Sequence, residues 1–252
     1  MSNTLFDLSG RVALITGANT GLGQGIAIAL AQAGADIAAA GISPADDTGD
    51  KVRALGCKFI NIDANLGSIE PVERIVTETL SALGGLDILV NNAGLIRRAD
   101  AVEFSEKDWD DVMNVNIKGA FFMAQAAGRH MIDQRRGKII NIASMLSFQG
   151  GIRVPSYTAS KSGIAGITRL LANEWADKGL NINAIAPGYM ATDNTAQLRA
   201  DEDRSKSILD RIPAGRWGVP ADLGGTAVFL ASSASDYVNG AVIPVDGGWL
   251  AR

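Results

Sequence analysis

Cysteine and histidine are almost missing from this sequence. Its 252 residues include one cysteine, Cys57, and one histidine, His130. A single cysteine excludes an intrachain disulfide and a cysteine-based zinc cluster, and it fits a reducing compartment. The two residues lie far apart in the sequence, so neither has an evident partner for nucleophilic catalysis. The sequence therefore predicts no metal site and no catalysis by a thiol or an imidazole.

Concentrated positive charge and long apolar runs are also lacking. The formal net charge is −4, and no run of lysine and arginine exceeds two residues. Such a chain has no electrostatic footprint for nucleic acid or anionic lipid. No window approaches about 18 consecutive apolar residues, and residues 1–12 lack the basic and apolar regions of a signal peptide. We therefore expect a cytoplasmic protein without nucleic-acid or membrane partners.

Short apolar runs alternate with longer segments of helical spacing along the chain. This alternation is typical of a parallel sheet with helices on both faces. It predicts one α/β domain over residues 1–252, with a doubly wound seven-stranded parallel sheet. The predicted strands are 12–16, 36–41, 58–63, 88–92, 138–144, 181–187 and 241–245, and the predicted helices are 22–33, 70–83, 106–131, 157–177, 201–209 and 220–231.

The segment TGANTGLG, residues 16–23, follows the first predicted strand and opens the first predicted helix. Glycines here would let a pyrophosphate approach bare backbone at a helix N-terminus, where free N–H groups and the helix dipole favour anions. The spacing GxxxGxG differs from the common GxGxxG fingerprint, but its place in a βαβ unit predicts a dinucleotide loop. The residues of this predicted loop are Gly17, Asn19, Thr20, Gly21, Leu22 and Gly23.

The end of the second predicted strand bears on cofactor preference. Dinucleotide folds often place an acid there, about 20 residues after the loop, to bind the 2′-hydroxyl of the adenosine ribose. This strand ends in Gly41, Ile42 and Ser43 instead, and no lysine or arginine lies between residues 40 and 50. A 2′-phosphate would therefore find no cation, which favours NAD over NADP. Asp63, at the end of the third strand, is a candidate to bind the adenine edge.

Tyr157 and Lys161 lie four residues apart in a predicted helix, so their side chains share one face. A phenol has a pKa of about 10 and needs a nearby cation, here Lys161, to act as a base at neutral pH. Ser144 closes the fifth predicted strand at the same edge of the sheet, where its hydroxyl could orient a carbonyl or an alcohol. Asn116 is polar inside a helical pattern, and both a functional role and an exposed position stay open for it.

Six motifs occur in an order and spacing that resemble the short-chain dehydrogenases/reductases. They are TGxxxGxG at 16–23, NNAG at 91–94, Asn116, Ser144, YxxxK at 157–161, and PG at 187–188 followed by Thr192. Each alone is weak, because short patterns arise by chance. Together they cover essentially the whole chain and are specific.

The resemblance implies a Rossmann-fold oxidoreductase with Tyr157 as the acid/base and Ser144 holding the substrate oxygen. Lys161 would lower the pKa of the tyrosine and bind the nicotinamide ribose, while Asn116 would hold a water that links Lys161 to solvent. A hydride would pass between the substrate carbon and NAD. A homotetramer built on the long helices is also implied, with the tail at 245–252 buried at an interface. The remaining implied cofactor contacts are Asn91, Ala93, Gly94, Pro187, Gly188 and Thr192.

Longer blocks, including 91–114 and 138–163, resemble a subgroup of bacterial sugar-acid dehydrogenases that act on 2-dehydro-3-deoxy-D-gluconate or 2-deoxy-D-gluconate with NAD. An acidic sugar requires a cation for its carboxylate. The candidate substrate residues are Arg153, Arg97 and Arg98 for the carboxylate, with Gln149, Tyr189 and Trp217 for the sugar pocket. A solvated or interface position stays open for each arginine. The polar segment 190–216 is predicted to be a mobile lid over the substrate.

Three other functions stay open. A gluconate 5-dehydrogenase, or another polyol or ketose reductase, would share the same motifs. A 3-oxoacyl carrier-protein reductase would need a cation for NADP and a basic surface for its acidic carrier, and neither is evident. A dinucleotide-binding regulator without catalysis would have no need to keep Tyr157, Lys161, Ser144 and Asn116 together.

Overall fold

The computed structural model describes residues 4–252, so residues 1–3 of the predicted domain lie outside the described part. The sheet has seven strands, all paired in parallel, in the order β3-β2-β1-β4-β5-β6-β7. The strands are β1 (Val12–Thr16), β2 (Asp36–Gly41), β3 (Phe59–Asp63), β4 (Ile88–Asn91), β5 (Gly137–Ile142), β6 (Leu180–Pro187) and β7 (Val242–Val245). The strand order confirms the predicted doubly wound sheet and reverses between β1 and β4. Ligands bind in the crevice outside the carboxyl ends of the strands at such a point.

Helices cover both faces of the sheet. They are α1 (Gly21–Gln32), α2 (Asp46–Ala54), α3 (Val72–Leu83), α4 (Glu106–Met113), α5 (Ala120–Asp133), α6 (Pro155–Trp175), α7 (Ala196–Ala200), α8 (Glu202–Leu209) and α9 (Gly224–Ala231). Side chains alternate along β1, so Ile15 joins the apolar layer under α1 and α9 while Leu14 joins the layer under α3 and α5. Two buried layers therefore hold the strand ends in place.

Helix α2 is absent from the sequence-based prediction. Its residues, DDTGDKVRA, have little apolar periodicity. The helix packs through tertiary contacts instead, since Thr48 donates a 2.7 Å hydrogen bond to the Ala18 carbonyl and Val52 is fully buried. Acids in its first turn and bases in its last turn also suit the helix dipole. This helix thus supports the loop after β1.

Candidate active site

The loop between β1 and α1 forms a bare backbone cradle. Gly17 and Gly21 have φ angles of 67° and 57°, a left-handed conformation that favours glycine. A Cβ on Gly23 would overlap the carbonyl oxygen of Gly17, so only glycine lets the first turn of α1 close on the loop. Asn92 braces the loop by donating from Nδ2 to the carbonyl oxygens of Thr16 and Gly17, at 2.9 and 2.8 Å. Asn92 was not singled out from the sequence, although it belongs to the NNAG motif.

A cleft of about 430 Å³ extends from this cradle across the carboxyl ends of β1, β2, β4 and β5. It is lined by most of the predicted cofactor residues: Gly17, Asn19, Thr20, Gly21, Leu22, Gly23, Ala93, Gly94, Tyr157, Lys161 and Thr192. Further lining residues that the sequence did not single out for the cleft are Asn65, Leu66, Gly67, Val115, Asp193 and Asn194. Most follow a strand end, which is the signal that would have found them.

Four other predicted cofactor residues do not line the cleft. Asp63 is exposed and its carbonyl accepts a hydrogen bond from Arg74. Asn91 lies in the sheet, where it donates to Asn141 Oδ1 at 2.9 Å while its own buried Oδ1 has no partner among residues 4–252. Gly188 lines a separate cavity of about 200 Å³, and Pro187 ends β6 beside it. Cofactor contacts by these residues stay predictions.

The structure brings Tyr157 and Ser144 together. Pro155 begins α6, a position that suits proline, and places Tyr157 in the first turn. Ser144 caps the short turn after β5, accepting from the Leu146 amide at 3.1 Å, and its hydroxyl lies close enough to the phenol to lower the pKa of Tyr157. Removal from water raises the pKa of Tyr157, while the Ser144 hydrogen bond and then the Arg98 charge lower it. Two neighbouring hydroxyls therefore lie at the carboxyl edge of the sheet.

Lys161 lies one turn further along α6 and is buried. Its Nζ donates to the Ile142 carbonyl at 2.6 Å and lies 5.6 Å from the centroid of the Tyr157 ring. Burial lowers the pKa of this ammonium to about 8. The lysine therefore keeps its charge at neutral pH beside the phenol, and its predicted effect on the tyrosine pKa stays a prediction.

Asn116 lies in a π-helical segment, Asn114–Gly119, which divides the single helix predicted at 106–131 into α4 and α5. Such segments occur frequently at functional sites. Asn116 is only 2% exposed, so a surface position is wrong for it. Its Oδ1 accepts from the Leu95 amide at 2.8 Å, and its Nδ2 donates to the Leu95 carbonyl and to Ser160 Oγ. Asn116 thus joins the loop after β4 to the helix that carries Tyr157.

The three candidate arginines differ in their partners. Arg153 forms an exposed ion pair with Asp100 at 2.9 Å, and its φ of 64° is left-handed. Arg97 pairs with two aspartates of α4, Asp108 and Asp111. Arg98 donates to the Asn194 carbonyl at 3.1 Å and forms no ion pair in the part of the chain that the structure describes. It is also the cation that acts on the Tyr157 pKa.

Gln149, Tyr189 and Trp217 form an aromatic and polar cluster together with Trp249 of the tail. Gln149 Oε1 accepts from Trp249 Nε1 at 3.2 Å. The Tyr189 ring makes edge contacts with Trp249 and Trp217, with centroids 4.7 and 5.6 Å apart. The predicted sugar-pocket residues are thus neighbours in space.

Three further features concern metal ligation, membrane insertion and the single cysteine. Across residues 4–252, no three histidine, cysteine, aspartate or glutamate side chains cluster so as to hold a metal ion. None of the helices in that range combines the length and apolar character needed to cross a bilayer. Cys57 donates to the Ala31 carbonyl, and burial raises the pKa of its thiol.

Sequence comparison places this site among known enzymes. A family model described as enoyl-(acyl carrier protein) reductase matches residues 17–250. The 2-dehydro-3-deoxy-D-gluconate 5-dehydrogenase of Escherichia coli (strain K12) is 66% identical over 248 residues, which are 98% of each chain. The chain belongs to the short-chain dehydrogenase/reductase family. It is an oxidoreductase that acts on hydroxyl groups.

Further relatives of this short-chain dehydrogenase/reductase include the enzyme of the same name from Bacillus subtilis (strain 168), 54% identical over 98% of this chain and 97% of its own. A crystal structure from Agrobacterium tumefaciens with bound NADP, provisionally assigned as a 2-deoxy-D-gluconate 3-dehydrogenase, is 56% identical with a TM-score of 0.92, covering 99% and 100% of the two chains. A gluconate 5-dehydrogenase from Burkholderia cenocepacia J2315 in complex with NADP and tartrate is 38% identical, with a TM-score of 0.94 over 99% and 98%. These structures share the sheet and helices described above.

Replacing Lys161 by methionine in this dehydrogenase should raise the free energy of unfolding at pH 7. The folded-state pKa, about 8, lies below the ordinary 10.5, so the unfolded chain binds more protons between those values. The cost of the buried ammonium is therefore full below pH 8 and is relieved as the pH rises toward 10.5. We expect a gain on the order of 2 kcal/mol at pH 7 that shrinks by pH 9.5, measured by urea unfolding.

Lys58→Met is the control for that measurement, because Lys58 is largely exposed. It should leave the difference between pH 7 and pH 9.5 unchanged. Equal pH dependence of the wild-type chain and Lys161→Met would contradict the burial cost assigned to Lys161.

Proposed function

We propose that the chain interconverts a secondary alcohol and a ketone on a sugar acid, with 2-dehydro-3-deoxy-D-gluconate as its preferred substrate. The observation that carries this proposal is the paired Ser144 and Tyr157 hydroxyls, with the Lys161 ammonium behind them and the Arg98 guanidinium beside them. The substrate named for the relatives that are 66% and 54% identical over nearly the whole chain supports it.

The roles of the chain's own groups follow from their positions. Ser144 would donate a hydrogen bond to the substrate oxygen, and Tyr157 would exchange a proton with that oxygen. Lys161 would stabilise the phenolate form and hold the nicotinamide ribose. When bound, a nicotinamide dinucleotide supplies the hydride donor or acceptor. The bare backbone of the glycine cradle at the N-terminus of α1 fits its pyrophosphate.

NAD is the cofactor that we propose. At the end of β2 the cleft is lined by Gly41 and Ile42, and among its described lining residues Lys161, at the opposite end, is the one cation. A 2′-phosphate near Ile42 would therefore lack a counter-charge. The relatives from Agrobacterium tumefaciens and Burkholderia cenocepacia hold NADP, so the two dinucleotides must be compared directly on this chain.

Arg98 is the side chain that we propose for the substrate carboxylate. Unlike Arg97 and Arg153, it has no carboxylate partner within residues 4–252, and it is close enough to Tyr157 to lower the pKa of the phenol. A sugar acid with its hydroxyl at Ser144 would place its carboxylate within the reach of a long cation near that hydroxyl. Arg153 stays the rival for this role.

Replacing Arg98 by alanine should raise KM for acidic sugars about tenfold, because a hydrogen bond to a charged group contributes about 1.5–3 kcal/mol. KM for a neutral polyol should change less than about twofold. Arg153→Ala, measured in parallel, is the matched control and should change neither value by more than about twofold, since Arg153 is already paired with Asp100. An effect of Arg98→Ala that is equal on acidic and neutral substrates, or a larger one from Arg153→Ala, would contradict the assignment.

A substrate panel tests the proposed function. Absorbance at 340 nm would be followed with NAD and with NADP against 2-dehydro-3-deoxy-D-gluconate, 2-deoxy-D-gluconate, gluconate and a 3-oxoacyl thioester. We expect the highest kcat/KM with a deoxy sugar acid and NAD. Gluconate is the second candidate, because a Gluconobacter oxydans gluconate 5-dehydrogenase is 43% identical over 97% of this chain. Turnover of the thioester alone would overturn the proposal.

We also propose that the chain acts as one domain in a cytoplasmic homotetramer. Trp109 on α4 and Leu170 on α6 are large apolar side chains that are 40% and 47% exposed, which suits burial by another subunit. The segment 190–216 would form the lid, since Thr192 approaches Gly21 of the cradle and Asn194 accepts from Arg98. Both contacts support closure over the cleft.

A further inference from the structure

The C-terminal tail has a defined conformation within its own chain. Gly247 and Gly248 have left-handed φ angles of 64° and 89°, and the Asp246 carboxylate accepts from the amides of Gly248 and Leu250 at 2.8 and 2.9 Å. This turn directs Trp249 inward, where it is only 4% exposed. The family resemblance implies burial of the tail at a subunit interface, which stays a prediction, and Trp249 of this tail is buried within its own chain.

Trp249 contacts three segments, of which two carry the predicted sugar-pocket residues Gln149 and Tyr189 and the third belongs to the proposed lid. Its Nε1 donates to Gln149 in the loop after β5. Its ring packs edge-on against Tyr189, which follows β6. The Arg211 guanidinium, just after α8 of the proposed lid, lies 3.9 Å from the ring centroid, within the range of a cation–π contact. One side chain thus joins two loops and the lid.

The cluster around Trp249 also includes Met145, the residue after Ser144. Met145 is buried beside Trp249 together with Ile208 and Ile212 from the lid. Ser144 is the N-cap of the turn that Met145 begins, so a displacement of Met145 would move the serine hydroxyl. By contrast, none of the cluster residues lines the dinucleotide cleft. A change at Trp249 should therefore affect substrate binding and leave dinucleotide binding unchanged.

We propose that Trp249 is a positioning residue for the sugar substrate. The indole would act by fixing the positions of Gln149, Tyr189 and the lid relative to Ser144. The proposal deepens the proposed function and rests on it for the identity of the substrate. It assigns the tail a role in substrate specificity, because the positions of three segments depend on contacts with the Trp249 indole.

Trp249→Ala and Trp249→Phe test the proposal by steady-state kinetics. Alanine removes the ring and the donor, and should raise KM for the sugar acid about tenfold; phenylalanine keeps a ring and should raise it about threefold, the loss of about one neutral hydrogen bond. We expect the dissociation constant for NAD to stay within about twofold in both variants. A KM within about twofold of wild type for Trp249→Ala would overturn the proposal.

Trp175→Phe separates positioning from general loss of stability. Trp175 ends α6 and packs on Gly128, about 27 Å along the helix from Tyr157. Its truncation should lower the melting temperature without a change in the KM for the sugar. An equal rise in KM for Trp175→Phe and Trp249→Phe would show that the effect is only structural.

The Trp249–Gln149 hydrogen bond has its own test. Gln149→Leu should raise KM about threefold in the wild-type background and by a smaller factor in Trp249→Phe, since the bond is already lost there. Additive effects of the two substitutions would contradict coupling through this bond.

Tryptic cleavage gives a readout that requires no substrate. The lid contains the sites Arg199, Arg204, Lys206, Arg211 and Arg216. Trp249→Ala should speed cleavage at these sites at least about fivefold, because local opening controls proteolysis, and Trp175→Phe should not. An unchanged cleavage rate in Trp249→Ala would overturn the role of Trp249 in holding the lid. This result does not depend on the substrate panel, so the proposal for Trp249 and the proposed function can fail separately.

Discussion

Replacing Tyr157 by phenylalanine is expected to lower kcat at least about hundredfold, the contribution of a general acid/base. The substitution removes one hydroxyl that pairs with Ser144 and leaves the ring, α6 and the glycine cradle in place. The dissociation constant for NAD should therefore stay within about twofold of wild type. Stopped-flow or steady-state absorbance at 340 nm gives the rate, and fluorescence titration gives the affinity.

Tyr237→Phe is the matched control for that substitution, because Tyr237 is fully exposed. The control should keep the wild-type rate. A Tyr157→Phe variant that retains more than about a tenth of the wild-type kcat would rule out the phenol as the proton carrier.

Replacing Gly23 by alanine is expected to weaken dinucleotide binding at least about tenfold. The added methyl would overlap the Gly17 carbonyl oxygen and crowd Asn92 Nδ2, so the cradle must shift, and overpacking of this kind costs about 1–3 kcal/mol. Loss of affinity and not of folding is the expected result, because the overlap lies in the loop and first turn of α1. Isothermal titration with NAD measures it, with far-ultraviolet circular dichroism as the check on folding.

Gly225→Ala is the control for the glycine substitution. A Cβ on Gly225, in α9, meets no atom within 4 Å, and alanine favours helix over glycine. The control should bind NAD as the wild-type chain does and be slightly more stable. Equal NAD affinity of Gly23→Ala and wild type would contradict a pyrophosphate site at the cradle.

The sheet could be predicted from the sequence because each strand is a short, nearly continuous apolar run, as in VALIT at 12–16. Helix α2 could not, because its stability depends on contacts of Thr48 and Val52 with residues distant in sequence. The π segment at 114–119 was also missed, since helical periodicity does not distinguish it from an α-helix. It is this segment that carries the buried Asn116.

Spacing predicted that Tyr157 and Lys161 lie together and that the glycine loop lines the same cleft, but the arginines show where spacing fails. Arg153 lies four residues before Tyr157. The two side chains would share one helical face only if the helix extended back to Arg153. Helix α6 begins at Pro155, and Arg153 has a left-handed backbone in the preceding loop. Its side chain therefore points to Asp100, and of these two arginines Arg98 is the one whose charge acts on the phenol. Only the fold could distinguish these two arginines.

The most direct test of the central claim compares kcat/KM for 2-dehydro-3-deoxy-D-gluconate and for a 3-oxoacyl thioester on the purified chain with its preferred dinucleotide. The account predicts a ratio of at least about a hundred in favour of the sugar acid, since Arg98 would pair with a carboxylate that the thioester lacks and the substrate side would fit the sugar. A ratio near one, or a preference for the thioester, would contradict it.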